Sequence, residues 1–385
     1  PGRDRIPGDR HFLEHVLFKS NKTHDAGEIS REISRLGGLS SFKIETSPEE
    51  LLIGGTFLKK DVPRLMPLLN SLLNEALFLE EEIERERKII LQEYHSKHME
   101  QHNVLLRSIG ELVGKDLSVI GSPESISSMS PSHLKELYGD LINEKNAVLF
   151  LHNGKDFLEL LNIKNGPRFD AIEPIRIKGH HQKEVPDFPF STIILFYEED
   201  LSLRSYALKD YLNEMDSTFY QYLREEKNYC YHVNASQAFG SLARTFPQFN
   251  TMCLTSYSQV LKSHEKLGKL MGMEAEKSPK MNALELVSQE LKDAFRVDNE
   301  SIYENVLRKS TLNKLRAKSD IELRFAFEYT AHLLNCSFEE LENKPSWKEF
   351  RAFSESVRDK QAGRIMILGD QWKNDYSGVG FASSR

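Results

Sequence analysis

The residues of this chain best suited to chemistry lie near its start, in the run R-H-F-L-E-H-V-L-F-K-S at 10–20. His11 and His15 are four residues apart. On a helix both imidazoles then leave the same face, one turn apart, and can offer two nitrogens to one metal ion. Glu14 stands where its carboxylate can reach water held by such an ion without being a ligand itself. Zinc brings the pKa of that water down to about 7, and a neighbouring carboxylate can take its proton as the water attacks a polarised carbonyl. A structural zinc site is closed by four protein ligands, whereas a hydrolytic one needs a third ligand and an open position. That third ligand, a His, Asp or Glu, has to come from elsewhere in the chain.

The segment that begins at residue 80, EEEIERERKIILQEYHSKHMEQ, holds the candidates. It reads as one long charged helix, most of whose charges form a solvated face. Glu86 and Glu93 are two helical turns apart and share a side, so one can ligate while the other orients a histidine. His95, His98 and His102 on the same helix compete for the ligand role.

The elements that must position these groups can be read in outline. A first helix covers 10–20. A second covers Asp25–Leu36, with Asp25 and Glu28 spaced as a capping box and Gly37-Gly38 as its stop. Extended stretches are expected at 39–44 and 51–58, then helices at 61–77, 80–102, 104–113 and 132–141, and a strand at 147–152. Residues 164–189, with four prolines and little periodicity, read as a linker between a domain at 1–163 and a second at 190–385. The second opens on a buried strand, S-T-I-I-L-F-Y at 191–197. It continues with a helix over 205–225, an extended Y-C-Y-H-V-N-A, helices at 257–271, 282–294, 300–317 and 319–335, and a strand at 364–368. The order of elements looks like that of the first domain repeated.

Composition narrows the function classes. The chain has 385 residues, 39% of them hydrophobic, and a net charge of −7, which speaks against nucleic acid as the main partner. No run of about 18 apolar residues exists to span a membrane. Cys230, Cys253 and Cys336 match no zinc knuckle or redox motif and read as three buried thiols of a reducing compartment, so the expected location is cytoplasmic.

The runs H-F-L-E-H-V-L-F-K-S, L-G-G and E-R-E-R-K-I-I-L-Q-E resemble the pitrilysin/insulinase family of inverted-motif zinc peptidases. The resemblance implies that His11, His15 and Glu93 bind Zn2+, that Glu14 is the catalytic base and that Glu86 is its supporting acid. Y-L-R-E-E-K-N-Y-C-Y at 222–231 matches a second family pattern. There the resemblance makes Arg224 and Tyr231 the pair that holds substrate and polarises its carbonyl. The stretch Leu39, Ser40, Ser41 and Phe42 falls where the family binds substrate backbone, with Ser40 in place of the usual Asn.

The fold implied is α+β. It has two homologous domains, each a mostly antiparallel sheet packed with helices, together forming half of a clamshell. A peptide is the implied substrate. A homodimer, or a heterodimer with a related subunit, is the implied assembly. A non-catalytic or partner-dependent subunit of a peptidase stays open as the alternative.

Overall fold

A computed structural model describes residues 6–38, 42–152, 155–168, 173–237, 242–256, 259–265 in part, 279–343 and 345–369. The chain divides into two compact units, Pro1–Glu173 with Ser319–Phe325 and Pro174–Lys318 with Ala326–Arg385.

In the first unit the order is α1 (Asp9–Leu17), α2 (Ala26–Arg35), β1 (Phe42–Thr46), β2 (Leu51–Gly55), α3 (Val62–Asn74), α4 (Glu80–Lys97), α5 (Gln101–Val113), α6 (Pro123–Ser128) and α7 (Pro131–Leu141). Helix α1 begins at Gly8, whose φ of 81° is open to glycine. A Cβ there would also run into the carbonyl of Ile120, so both the backbone angle and the close approach require the residue. Phe12, Leu13 and Val16 bury one side of α1 against Ile83 and Ile90 of α4 and Leu134 and Leu137 of α7. Helix α2 starts on the expected capping box between Asp25 and Glu28. Its Ile29 and Ile33 join Phe42, Leu65, Leu68 and Leu72 in a second core. Strands β1 and β2 pair as an antiparallel hairpin, Phe42 opposite Gly55 and Thr46 opposite Leu51.

The second unit is built on a five-stranded mixed sheet in the order β3 (His180–Val185), β7 (Gly363–Gly369), β4 (Phe190–Tyr197), β6 (Phe249–Ser256) and β5 (His232–Gln237). The β3–β7 pair is parallel and the others are antiparallel. β4 lies at the centre, buried from Ser191 to Tyr197, as its unbroken apolar run requires. Helix α8 (Leu203–Leu212) and the helices Pro279–Asp293, Glu300–Arg316 and Trp347–Arg358 contribute to the large core around Tyr197, Tyr211, Phe219, Phe249 and Phe350.

The α+β class matches the expectation, and several elements differ. Among the described residues the first unit holds only the β1–β2 hairpin as sheet, so the five-stranded sheet is the single one of its kind. The apolar run at 147–152 forms no strand: Val148 and Leu149 are about half exposed, at 53% and 48%, with no ladder partner among the described residues. Conversely, β3 lies inside the stretch read as a linker. H-H-Q-K-E-V lacks apolar alternation because it is an edge strand, where polar side chains are tolerated. The long charged helix stops at Lys97 and restarts at Gln101, because Glu100 is extended. The helix expected over 205–225 ends at Leu212. Ser217 then caps the helical turn Thr218–Tyr220, which runs into a π-helical turn, Gln221–Glu226. Much of 257–271 lies outside the described residues.

The cysteine expectation is corrected. Cys230 and Cys253 form a disulfide with a Cα separation of 5.9 Å, and Cys336 lies outside that pair. The two come together because the chain entering β5 runs beside its antiparallel neighbour β6, a proximity that linear spacing does not signal.

Candidate metal centre

Helix α1 presents three different stripes. Phe12, Leu13, Val16 and Leu17 face the core. His11 and His15 face α4, their rings edge to face at 4.7 Å. Arg10 and Glu14, again four apart, both reach the β1–β2 hairpin: Arg10 Nη1 donates to the carbonyl of Pro48, and Glu14 Oε2 accepts from the hydroxyl of Thr46.

Across from the histidines, α4 brings Glu86 and Glu93. Glu93 Oε2 lies 3.5 Å from His11 Nε2 and 3.4 Å from His15 Nε2. Its other oxygen accepts from Lys97 at 2.8 Å. Glu86 repeats the arrangement one shell out, with Oε2 3.0 Å from His15 Nδ1 and Oε1 2.7 Å from Lys19. Each carboxylate is thus held through one oxygen by a lysine and offers the other to the histidines.

The electrostatics follow from burial. His11 is almost fully buried, and burial together with the charge of His15 holds its imidazole down to about 4, so it stays neutral. Burial pushes the Glu14 carboxyl above its usual range, against the hydrogen bond from Thr46. A raised carboxyl pKa suits a proton acceptor working near neutrality. Burial acts on Glu93 in the same direction, but the Lys97 hydrogen bond and the neighbouring His11, Lys97 and His15 outweigh it and hold its carboxyl below the usual range.

This donor set fits zinc. Two imidazole nitrogens and one carboxylate oxygen are ordinary zinc ligands, and three protein ligands are the number a hydrolytic site uses. Tetrahedral bonds of about 2.0–2.1 Å place ligand atoms about 3.3–3.4 Å apart, and the two separations to Glu93 Oε2 are of that size. Among the described residues, His11, His15 and Glu93 form the one group arranged to hold a metal ion. His95, His98 and His102 are not part of it, and His98 instead stacks on Tyr94.

The remaining expected site residues are distributed as follows. Leu39, Ser40 and Ser41 lie outside the described residues. Phe42 is buried edge-on against Phe18 and Phe57, so its side chain serves the core. In the second unit Arg224 sits on the π-helical turn. Its Nη1 donates to the hydroxyl of Tyr220, and its guanidinium lies 5.2 Å from that ring. Tyr231 is 65% exposed, anchored by its backbone N–H donating to Leu254. Burial and the Arg224 charge both depress the pKa of His232, the residue after Tyr231. Arg10, Lys19, Thr46, Lys97 and Tyr220 were not anticipated. Arg10, Lys19 and Thr46 find their partners on other elements, whereas Lys97 and Tyr220 lie four residues from Glu93 and Arg224, a helical spacing that could have signalled them.

Residues 3–113, which carry the whole HxxEH helix and both glutamates, match the sequence model described as Insulinase (Peptidase family M16). Over those residues the chain carries the sequence pattern of the insulinase peptidase family. Among its relatives is an uncharacterized zinc protease of Rickettsia bellii, 24% identical over 314 residues covering 76% of this chain and 72% of that protein. The beta subunit of human mitochondrial-processing peptidase is 26% identical over 186 residues, 47% of this chain and 36% of the subunit. The chain therefore spans about a third of the length of that subunit.

The likeness in fold extends over nearly the whole chain. A protease from Helicobacter pylori superposes with a TM-score of 0.69 at 13% identity, covering 96% of this chain and 91% of that one. A peptidase M16 inactive domain from Pseudomonas fluorescens gives 0.70 at 13% identity, covering 96% and 90%. No described helix is long and apolar enough to cross a membrane.

Proposed function

We propose that this insulinase-family chain is a zinc-dependent endopeptidase acting on short or unfolded peptides, with His11, His15 and Glu93 as ligands and Glu14 as general base. The observation that carries the reading is the single oxygen of Glu93 lying 3.4–3.5 Å from both histidine Nε2 atoms. Bound zinc supplies a Lewis acid that eases the ionisation of water and polarises the peptide carbonyl. Glu14, held at the hairpin, takes the proton of the attacking water and returns it to the leaving amine. Glu86 fixes the orientation of the His15 ring through Nδ1. Arg224 and Tyr231 are donors for the substrate carbonyl, and the backbone around Leu39–Phe42 receives the peptide as an added strand. The two units are diverged copies of one domain, and two chains of this length, identical or related, enclose the substrate. Removal of a leader or precursor segment is one task such an enzyme performs.

The test uses a pool of unstructured peptides, with products read by mass spectrometry for the wild type and Glu14→Gln at equal zinc content. Cleavage by the wild type that Glu14→Gln loses by about 10²–10⁴-fold supports the reading. A zinc-loaded wild type that cleaves nothing, alone or mixed with a related subunit, sinks it in favour of a non-catalytic role.

A further inference from the structure

Strand β1 reads F-K-I-E-T, and its alternation places Phe42, Ile44 and Thr46 on one face. Phe42 and Ile44 spend that face on the core of α2 and α3. The third position carries a hydroxyl where the pattern alone would accept valine, a side chain of nearly the same shape. Thr46 Oγ1 donates to Glu14 Oε2. Thr46 is also firmly placed. It pairs with Leu51 at the end of the hairpin ladder, and the next residue, Ser47, closes the turn by accepting from the backbone N–H of Glu50 at 3.1 Å. Arg10, one helical turn before Glu14, holds the same turn through the carbonyl of Pro48.

A glutamate has three side-chain torsions, and one on a half-exposed helix face is free to sample several of them. One hydrogen bond to Oε2 from a fixed strand removes most of that freedom. It leaves Oε1 without a protein hydrogen bond among the described residues. A base must keep one oxygen available for the proton it abstracts while the other is restrained. The hairpin provides this arrangement, and Arg10 ties hairpin and helix together one helical turn from the contact.

We infer that Thr46 is a positioning residue for the general base: its hydroxyl holds Oε2 of Glu14 so that Oε1 is presented to the attacking water, with Arg10 fixing the hairpin that carries it. This rests on the peptidase reading above, in which Glu14 is the base.

The experiment compares wild type, Thr46→Val, Thr46→Ser and Glu14→Gln on one peptide that the wild type cleaves, measuring kcat, KM, zinc content and melting temperature. The expected result is a fall in kcat of about 10- to 100-fold for Thr46→Val, the scale of a misplaced reacting group. KM and zinc content stay within about twofold of wild type, and Thr46→Ser recovers to within about threefold, since it restores the hydroxyl. Should Thr46→Val fail to fold, Thr46→Ala takes its place with the same expectation. Wild-type kcat in the hydroxyl-free variant overturns the inference, and so does a Thr46→Ser as slow as Thr46→Val. A loss of zinc in parallel with kcat also overturns it, because the residue would then be structural. The peptidase reading fails separately, by a zinc-loaded wild type without activity or by a Glu14→Gln as active as wild type.

Discussion

Glu86 divides its two oxygens between His15 Nδ1, at 3.0 Å, and the ammonium of Lys19, at 2.7 Å. The pairing fixes the tautomer of His15, since an Nδ1–H donating to a carboxylate leaves Nε2 bare for a metal. Replacing Glu86 by Gln weakens that fixation without emptying the space. The expected consequence is a 10- to 100-fold loss of zinc affinity, read by competition with a chromophoric chelator. Unchanged affinity would show that the ring is held by packing alone.

The metal-free protein should lose stability on mild acidification, and His11 is the reason. Its imidazole ionises at about 4 in the folded chain against an ordinary 6.5. Between those values the unfolded chain binds a proton that the folded chain refuses. The contribution is therefore complete above about pH 6.5 and is lost as the pH falls towards 4, with a slope of up to about 1.4 kcal/mol per pH unit. Glu14, whose pKa is raised, contributes in the opposite sense, losing stability as the pH rises through its folded value. The comparison that isolates His11 is chelator-treated wild type against His11→Asn, with urea midpoints taken from pH 5 to 7. The wild type should show the steeper slope.

The legible part of the site is the part that lies along single helices. His11, Glu14 and His15 share one helix, as do Glu86 and Glu93, and helical periodicity alone fixes which of them face the same way. The contacts that complete the site cross between elements: Thr46 to Glu14 and Arg10 to Pro48 join a hairpin to α1, and no local spacing announces them. Strand assignment failed in both directions for a related cause. The apolar 147–152 run has no ladder partner among the described residues, while the polar β3 is held in the sheet by β7. Propensity describes the segment, but a strand exists only through its neighbour. The Cys230–Cys253 link is hidden in the same way, since it depends on how β5 enters beside β6.

Gly8 sets where α1 begins, and the site should be sensitive to it although it touches no ligand. Ala at φ 81° costs about 1–2 kcal/mol on backbone grounds, and its Cβ also meets the Ile120 carbonyl. Gly8→Ala should therefore lower stability by about 2 kcal/mol or more and weaken zinc binding as α1 shifts to relieve the contact. Urea denaturation and chelator competition measure the two effects. A variant as stable as wild type would mean that the turn at 6–8 re-forms without cost.

Tyr231 offers the cleanest test of the catalytic part proposed for the second unit, because it is 65% exposed and its anchorage is through the backbone. Tyr231→Phe removes one hydroxyl and should leave the fold within about 0.5 kcal/mol of wild type. If that hydroxyl donates to the substrate carbonyl as negative charge develops, kcat should fall by about 10²-fold or more with zinc content unchanged. Arg224→Lys keeps the charge but loses the planar fork that reaches the Tyr220 hydroxyl. Its effect should fall on KM as well as kcat, since a displaced cation binds ground state and transition state alike less well. Equal activity in Tyr231→Phe and wild type would remove the tyrosine from the mechanism while leaving the zinc ligands and Glu14 untouched.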